Sequence, residues 1–368
     1  MPEPIQNQGH TKKKRVAVVG ATGIAGQQFL VALQNHPWFE ITVLSASSRS
    51  AGKSYEEALR SSNGQVHWWQ YEPIPPAFKN MLVQNSETLD LSQIDIVFTA
   101  IDTDAAKHLE PIYAAQKPVI STASAFRMEA DVPLLMPGVN SNHAALIKTQ
   151  QKNRTWKGFI VPIPNCTTYG LAATLAPLHQ AFGVKSVLMT SMQATSGAGR
   201  NGGVLALDVI DNLVPYIPKE EEKVEKETLK ILGILKNDAI ADAVIGVSCT
   251  CTRVPVTDGH TETVFVGTHK PITVEQALTA FREYQSDCAG LPSAPKNFFQ
   301  IHDDPFRPQP RTDRDSDGGM TTHIGRVRLE KVLGGIKYVL LSHNTKAGAA
   351  KGAIFVAEYL VSKGIIKD

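Results

Sequence analysis

A strand, a glycine turn and a helix stand in unbroken succession near the start of the chain. Arg15-Val16-Ala17-Val18-Val19 is an apolar run of buried-strand type. Gly20-Ala21-Thr22-Gly23-Ile24-Ala25-Gly26 follows at once, and Gln27-Gln28-Phe29-Leu30-Val31-Ala32-Leu33 then repeats its apolar residues at helical spacing. No other feature constrains the fold as much. A strand that runs through a tight turn into a helix returns as a parallel neighbour, so the chain is committed to a parallel sheet flanked by helices. Gly20, Gly23 and Gly26 let the turn close and let backbone approach a pyrophosphate, whose charge the helix N-terminus favours. The strand before and the helix after separate this G-x-x-G-x-x-G pattern from a chance glycine triplet.

The next apolar run, Glu40-Ile41-Thr42-Val43-Leu44, is a second strand. In a dinucleotide-binding unit that selects NAD, an acidic residue near its end binds the ribose 2′-hydroxyl. Here Ser45-Ala46-Ser47-Ser48-Arg49-Ser50-Ala51-Gly52-Lys53 contains no acid. Hydroxyls with Arg49 and Lys53 suit a 2′-phosphate and predict NADP; a generic polar loop is the alternative. Strands at 94–100 and 118–121 with a helix over 104–116 extend the alternation expected of a doubly wound α/β sheet.

Composition excludes several classes. The 368 residues suffice for two domains and a large core. A net charge of +2 argues for neither nucleic-acid nor membrane partners, and no apolar stretch approaches the ~18 residues of a membrane span. Residues 1–14 are polar, end in a Lys12-Lys13-Lys14 run and lack the apolar centre of a signal peptide. They are expected to be a disordered basic tail. Cys166, Cys249, Cys251 and Cys288 form no C-x-x-C pair and no metal-ligand cluster, so free thiols in a reducing, cytoplasmic compartment and no bound metal are expected. Cys249 and Cys251 alternate along a strand and point to one face.

Cys166 differs in its setting. Pro164-Asn165-Cys166-Thr167-Thr168-Tyr169-Gly170 opens an apolar helical run, placing the thiol where the helix dipole and unpaired N–H groups favour thiolate. A packed structural cysteine is the competing reading. Downstream, a long strand over 185–193 leads into the small-residue segment 194–203, a loop that backbone or cofactor would approach closely. A charged helix is expected to start at Lys219 and continue to Leu235, with Val224, Thr228, Ile231 and Leu235 inward. Arg253 and His260 lie at either end of a short turn. Arginine offers a fork for a carboxylate, and histidine titrates near neutrality as a general acid/base. The last helix is expected over 347–363.

Six motifs in order resemble the aspartate-semialdehyde dehydrogenase family, particularly its fungal and archaeal form. They are Gly20-Ala-Thr-Gly-Ile-Ala-Gly26, Arg49-Ser-Ala-Gly-Lys53, Pro164-Asn-Cys-Thr-Thr168, Gln193-Ala-Thr-Ser-Gly-Ala-Gly199, Glu220-x-x-Lys223 and Arg253-x6-His260. The resemblance implies a Rossmann-type NADP-binding domain over 15–165, an α+β catalytic and dimerisation domain over 166–343, and a C-terminal helix, 344–368, returning to the first domain. It implies reductive dephosphorylation of L-aspartyl-4-phosphate through a cysteine thioester, in lysine, threonine and methionine biosynthesis, by a homodimer or homotetramer. Cys166 would be the nucleophile, His260 the acid/base and Gln193 the group that orients substrate or thioester. Arg253 would bind the substrate carboxylate, Glu220 its amine, and Arg127 and Lys223 phosphate, with Asn165 among the substrate contacts. Thr22, Gly23, Ile24, Ala25, Arg49, Ser50, Ser196, Gly197 and Asn344 would contact NADP. Backbone N–H groups at the start of the Cys166 helix would stabilise the oxyanion.

Thr122, Gly138, Ala347 and Lys351 depart from the common family pattern; none is a catalytic group. N-acetylglutamyl-phosphate reductase, malonyl-CoA reductase and a non-catalytic NADP sensor are the alternatives. An acylated amine has no use for Glu220, and a sensor has no use for Cys166.

Overall fold

The computed structural model describes residues 12–199 and 206–367. Residues 1–11, which make up most of the expected tail, lie outside the described residues, as do positions 200–203 of the small-residue loop. Lys14 departs from the tail reading. It opens the first strand, β1 (Lys14–Val19), its N–H donates to the Trp38 carbonyl, and its ammonium reaches the Lys367 carbonyl at 2.7 Å.

Six parallel strands form the first sheet: β1, β2 (Phe39–Ala46), β3 (Val83–Asn85), β4 (Ile96–Thr99), β5 (Pro118–Ser121) and β6 (Phe159–Pro162), in the order β3-β2-β1-β4-β5-β6. Alternate residues feed two cores, as an extended chain requires. Val16, Val18, Ile96 and Phe98 pack with Phe29, Leu30 and Leu33 of α1 (Ile24–Leu33). Ala17, Val19, Val97 and Val119 pack with Leu109 and Tyr113 of α2 (Thr103–Ala114). β4, β5 and β6 are buried along almost their whole length because both faces are covered. α3 (Leu146–Arg154) precedes β6.

After β6 the chain enters α4 (Cys166–Phe182) and a second, mixed sheet. Its strands are β7 (Val184–Gln193), β10 (Gly246–Arg253), β11 (His260–Thr268), β12 (Phe299–His302), β13 (Thr322–Glu330) and β14 (Gly335–Ser342), in the order β10-β7-β11-β14-β13-β12. A two-stranded hairpin, β8 (Ile234–Lys236) and β9 (Ala239–Ala241), stands apart. Along β7, Val187, Met189, Ser191 and Gln193 are buried while Lys185, Leu188 and Thr190 are exposed, the one-sided pattern of a sheet with one covered face. The covered face meets α4 and α6 (Val274–Arg282).

Two expected helices change at their ends. The charged helix, α5 (Glu220–Ile231), stops short of Leu235, which lies in β8. Gly233 turns the chain there: its N–H bonds the Lys230 carbonyl, and a Cβ on it would stand 2.5 Å from the Ala241 oxygen. The last helix begins with a π turn over Lys346–Ala350 and becomes regular only as α7 (Lys351–Ser362). α7 lies against β5 and α1.

The three glycines of the first turn do different work. Gly20 has φ +82, a conformation that favours glycine. A Cβ at Gly26 would run into the Gly20 carbonyl, whereas a Cβ at Gly23 meets nothing in the protein nearer than 3.5 Å. Gly26→Ala is therefore expected to destabilise the fold by about 1–3 kcal/mol, the cost of overpacking. Gly23→Ala is expected to cost less than about 1 kcal/mol. Thermal denaturation of the two variants measures the contrast, and equal losses would contradict it.

Candidate active site

The register of the second sheet assembles the site. Arg253 pairs with Gln193 across β10 and β7, and His260 pairs with Ser342 across β11 and β14. Thr261 pairs with Met192, so one step along that register Gln193 lies level with His260. Arg253, Gln193 and His260 thus end three adjacent strands in one row, and all three are buried. The N-terminus of α4 meets this row and brings Cys166 Sγ to 3.2 Å from His260 Nε2.

Asn165 makes that helix start possible. Its side-chain oxygen accepts from the N–H groups of Thr167 at 2.8 Å and Thr168 at 3.3 Å, the bonds of an N-cap. Its side-chain nitrogen donates to Glu220 Oε1 at 2.9 Å, and its backbone N–H donates to Glu227 Oε2 at 2.7 Å. Asn165 therefore acts as cap and bracket in this arrangement. These bonds occupy the Thr167 and Thr168 N–H groups of the first turn.

α5 presents a polar face to Cys166. Glu220 Oε2 lies 3.7 Å from Lys223 Nζ. One helical turn on, buried Glu227 holds Arg127, with Arg127 Nη1 on Glu227 Oε1 at 2.9 Å; Arg127 Nη2 donates to the Thr122 carbonyl at 2.8 Å. Arg127 Nε is buried without a partner among the described residues. Lys230 Nζ donates to the carbonyls of Arg127, Glu129 and Val132 at 2.7–2.8 Å and so pins the Arg127 loop. Sequence reasoning missed Glu227 and Lys230. The signal was the polar spacing Glu220, Lys223, Glu227, Lys230, which marks one helical face.

Electrostatics at Cys166 oppose the expectation from its helix position. Burial and then the Glu220 carboxylate push the thiol up to about 12, against Arg253, Arg127 and the Thr167 N–H, which lower it. The resting residue is a thiol, because desolvation outweighs the dipole. Burial, then Arg253 and His343, hold His260 well below the ordinary histidine range, so its ring is neutral. The Ala194 N–H donates to His260 Nδ1 at 3.1 Å, which puts the ring proton on Nε2, facing the sulfur. Arg253 is itself oriented by its Nη1 bond to the Ala194 carbonyl at 2.6 Å. Gln193 Nε2 donates to Ser191 Oγ at 3.2 Å.

Two glycines keep the reacting centre open. A Cβ on Gly197 would stand 3.1 Å from Arg253 Nη1 and 3.2 Å from His260 Cε1. A Cβ on Gly348, in the π turn, would stand 2.9 Å from Cys166 Cβ. The irregular turn before α7 lets backbone pack beneath Cys166.

Ile24 and Ser196, two of the expected dinucleotide contacts, line one cavity. Gly23 is the N-cap of α1 with no side-chain cap, so the first-turn N–H groups face the open space above it, as a phosphate requires. Thr22, Ile24 and Ala25 are half-buried around it, and Arg49 and Ser50 stand on the turn after β2, Arg49 exposed. A cavity of about 230 Å³ runs from Ile24 and Gln28 of α1 past Ser196 to His343 and Lys346. Asn344 braces its floor, accepting from the Gly259 N–H at 2.8 Å and donating to Ser196 Oγ at 2.8 Å. Farther off, His302, Asp313 and His323 bring ligand-type atoms within 4.8 Å of one another. Arg307 already lies on the Asp313 carboxylate and fills the place of a cation.

Comparison with known proteins places the chain. Residues 15–147 match the family model of the semialdehyde dehydrogenase NAD binding domain, and residues 175–346 that of the semialdehyde dehydrogenase dimerisation domain. An aspartate-semialdehyde dehydrogenase of Methanothermobacter thermautotrophicus is 44% identical over 348 residues, covering 94% of this chain and 98% of that one. One from Candida albicans is 42% identical over 371 residues, covering 96% and 99%. The crystal structure of aspartate semialdehyde dehydrogenase with NADP from Candida albicans superimposes with a TM-score of 0.87 at 39% identity, over 96% of this chain and 99% of that one. Aspartate semialdehyde dehydrogenase II of Vibrio cholerae, solved with ASA, gives 0.74 at 29% identity, over 95% and 99%. With both family models matched in chain order and full-length identity above 40%, this chain belongs to the aspartate-semialdehyde dehydrogenase family.

Proposed function

We propose that this chain converts L-aspartyl-4-phosphate to L-aspartate 4-semialdehyde and phosphate with NADPH, through a thioester on Cys166. One observation carries the reading: a helix-start thiol 3.2 Å from a neutral imidazole, beside a buried guanidinium and a buried carboxylate. Arg253 receives the substrate carboxylate and Glu220, held by Asn165, its ammonium. Arg127 and Lys223 receive the phosphate. Asn165 is a positioning residue.

The Cys166 sulfur adds to the acyl-phosphate carbonyl as its proton passes to the phosphate group of the substrate, which carries it away as hydrogen phosphate. The resulting oxyanion faces the Cys166 N–H and the His260 Nε2–H. Collapse breaks the C–O bond to phosphate and leaves the acyl group on sulfur, which divides one difficult step into two. When bound, the nicotinamide cofactor supplies hydride to the thioester carbonyl. Hydride addition leaves an alkoxide that the His260 Nε2–H holds by hydrogen bonding; its collapse to the aldehyde C=O expels the Cys166 sulfur as thiolate, which regains a proton from solvent. Gly20, Gly23 and Gly26 with Thr22, Ile24 and Ala25 would hold the pyrophosphate, Arg49 and Ser50 the 2′-phosphate. Ser196, Gly197 and Asn344 would line the nicotinamide end.

Partner and compartment follow the same reading. The open face of the second sheet, with Leu188 about half exposed, supports self-association as a homodimer or a dimer-based homotetramer. Four unpaired thiols suit the cytoplasm, and among the described residues no helix is long and apolar enough to cross a membrane.

Purified protein with aspartate semialdehyde, phosphate and NADP is expected to form NADPH; failure to do so would remove the reading. Cys166→Ala is expected to lose on the order of 10⁴-fold or more in turnover, as removal of a covalent nucleophile does. Mass spectrometry of the wild type during turnover is expected to show an aspartyl adduct on Cys166, and full activity of the alanine variant would refute the thioester.

Arg253→Lys keeps charge but loses the planar fork, and is expected to raise KM for the aldehyde by about tenfold to a hundredfold. Unchanged KM would remove Arg253 from the carboxylate site.

The thiol makes a pH prediction. Because its pKa is raised, the thiolate is scarce at neutrality and grows about tenfold per pH unit below that pKa. Iodoacetamide alkylation of Cys166 should therefore climb without a plateau between pH 6 and about 9. Glu220→Gln removes a charge that raises the pKa, so its alkylation should be faster at each pH. A plateau near pH 7 in the wild type would contradict this.

A further inference from the structure

Residues 66–72 are not used by the chemistry above, yet they join the two halves of the molecule. One end is tied to the glycine turn. Buried Gln27 donates through Nε2 to the carbonyls of Thr22 at 3.0 Å and His67 at 2.8 Å, and its Oε1 accepts from the Trp69 N–H at 2.8 Å. Gln70 Nε2 donates to the Ile24 carbonyl at 3.2 Å. Trp68 folds the segment on itself through Nε1 to the Glu72 carbonyl at 2.6 Å.

The other end touches the second half. Tyr71 Oη donates to Asp258 Oδ2 at 3.2 Å and accepts from Arg314 Nη2 at 3.3 Å. Arg314 Nη1 donates to the Asp258 carbonyl at 3.1 Å, and the guanidinium lies 6.0 Å from the Tyr71 ring centroid. Asp258 adjoins Gly259, which is bonded to Asn344, and is two residues from His260. The cavity of about 230 Å³ lies between, with Ile24, Trp69 and Tyr71 on one wall and Ser196, Asp258 and His343 on the other. Trp69 and Tyr71 are 48% and 70% exposed, an unusual cost for two large rings unless something passes beneath them.

We propose that residues 66–72 form a strap over the dinucleotide cleft and that the Tyr71–Asp258–Arg314 contact is its latch, so that cofactor departs only when the latch opens. This rests on the NADP reading above. Tyr71 is a positioning residue whose hydroxyl spans the cleft between the turn that binds pyrophosphate and the turn that carries His260. The segment is anchored through Gln27 and Gln70 at one end and through Tyr71 alone at the other, so it opens from the Tyr71 end.

The test is stopped-flow displacement of NADPH, followed by its fluorescence, from the full-length wild type, Tyr71→Phe, Asp258→Ala and the double variant. Tyr71→Phe keeps the ring and removes the hydroxyl with its hydrogen bonds to Asp258 and from Arg314, so NADPH dissociation is expected to quicken by about threefold to tenfold. Aldehyde KM and melting temperature should stay unchanged. The double variant is expected to dissociate no faster than Tyr71→Phe alone, because Asp258→Ala removes a contact that Tyr71→Phe has already removed. Unchanged dissociation in Tyr71→Phe, or purely additive effects, would overturn the latch while leaving the cofactor reading intact. A wild type that binds no NADPH would overturn both.

Discussion

The Asn165 cap is the contact on which the site depends. One side chain closes the first turn of α4, takes hold of Glu220, and places its backbone N–H on Glu227. Glu227 in turn orients Arg127, and Lys230 fixes the loop that carries Arg127. Cys166, Glu220 and Arg127 are therefore set by one connected hydrogen-bond network rather than by separate loops. Such networks are costly to break in part, since each buried group left behind loses its partner.

Against that rigid wall stands the edge of a sheet. Three strands end in Arg253, Gln193 and His260, and the register makes them a row. The row below carries Cys251, Ser191 and Glu262, and the one below that Cys249, Met189 and Val264. Polarity falls row by row with distance from Cys166. Glu262 is the exception: it is wholly buried with neither oxygen bonded among the described residues, and burial raises its pKa well above the carboxylate range. A protonated acid can occupy that place where a carboxylate cannot.

The site also separates position from activation. A helix N-terminus is the textual cue for a reactive cysteine, yet burial and Glu220 keep the resting sulfur protonated. The cue describes one dipole, whereas the pKa is the sum over every group that packs nearby, and those groups come from α5, β10 and the Arg127 loop. His260 is similar. Its type announces proton transfer, but which nitrogen holds the proton is decided by the Ala194 N–H, a backbone group with no sequence signature.

Much of this protein was legible in its residues. The strand–turn–helix opening committed it to a parallel sheet, and alternating apolar segments to two layered cores, because hydrophobic period and turn chemistry are local properties. Cys166, Arg253, Gln193 and His260 were legible as residue types at strand and helix ends. The Glu220-to-Lys230 face was legible in spacing only. What tertiary structure alone decided is contact between segments far apart in sequence: Tyr71 on Arg314, Gly348 beneath Cys166, Glu227 between Arg127 and Asn165. Those contacts follow from strand register and helix packing across the whole chain, and local sequence carries the elements but not the distances between them.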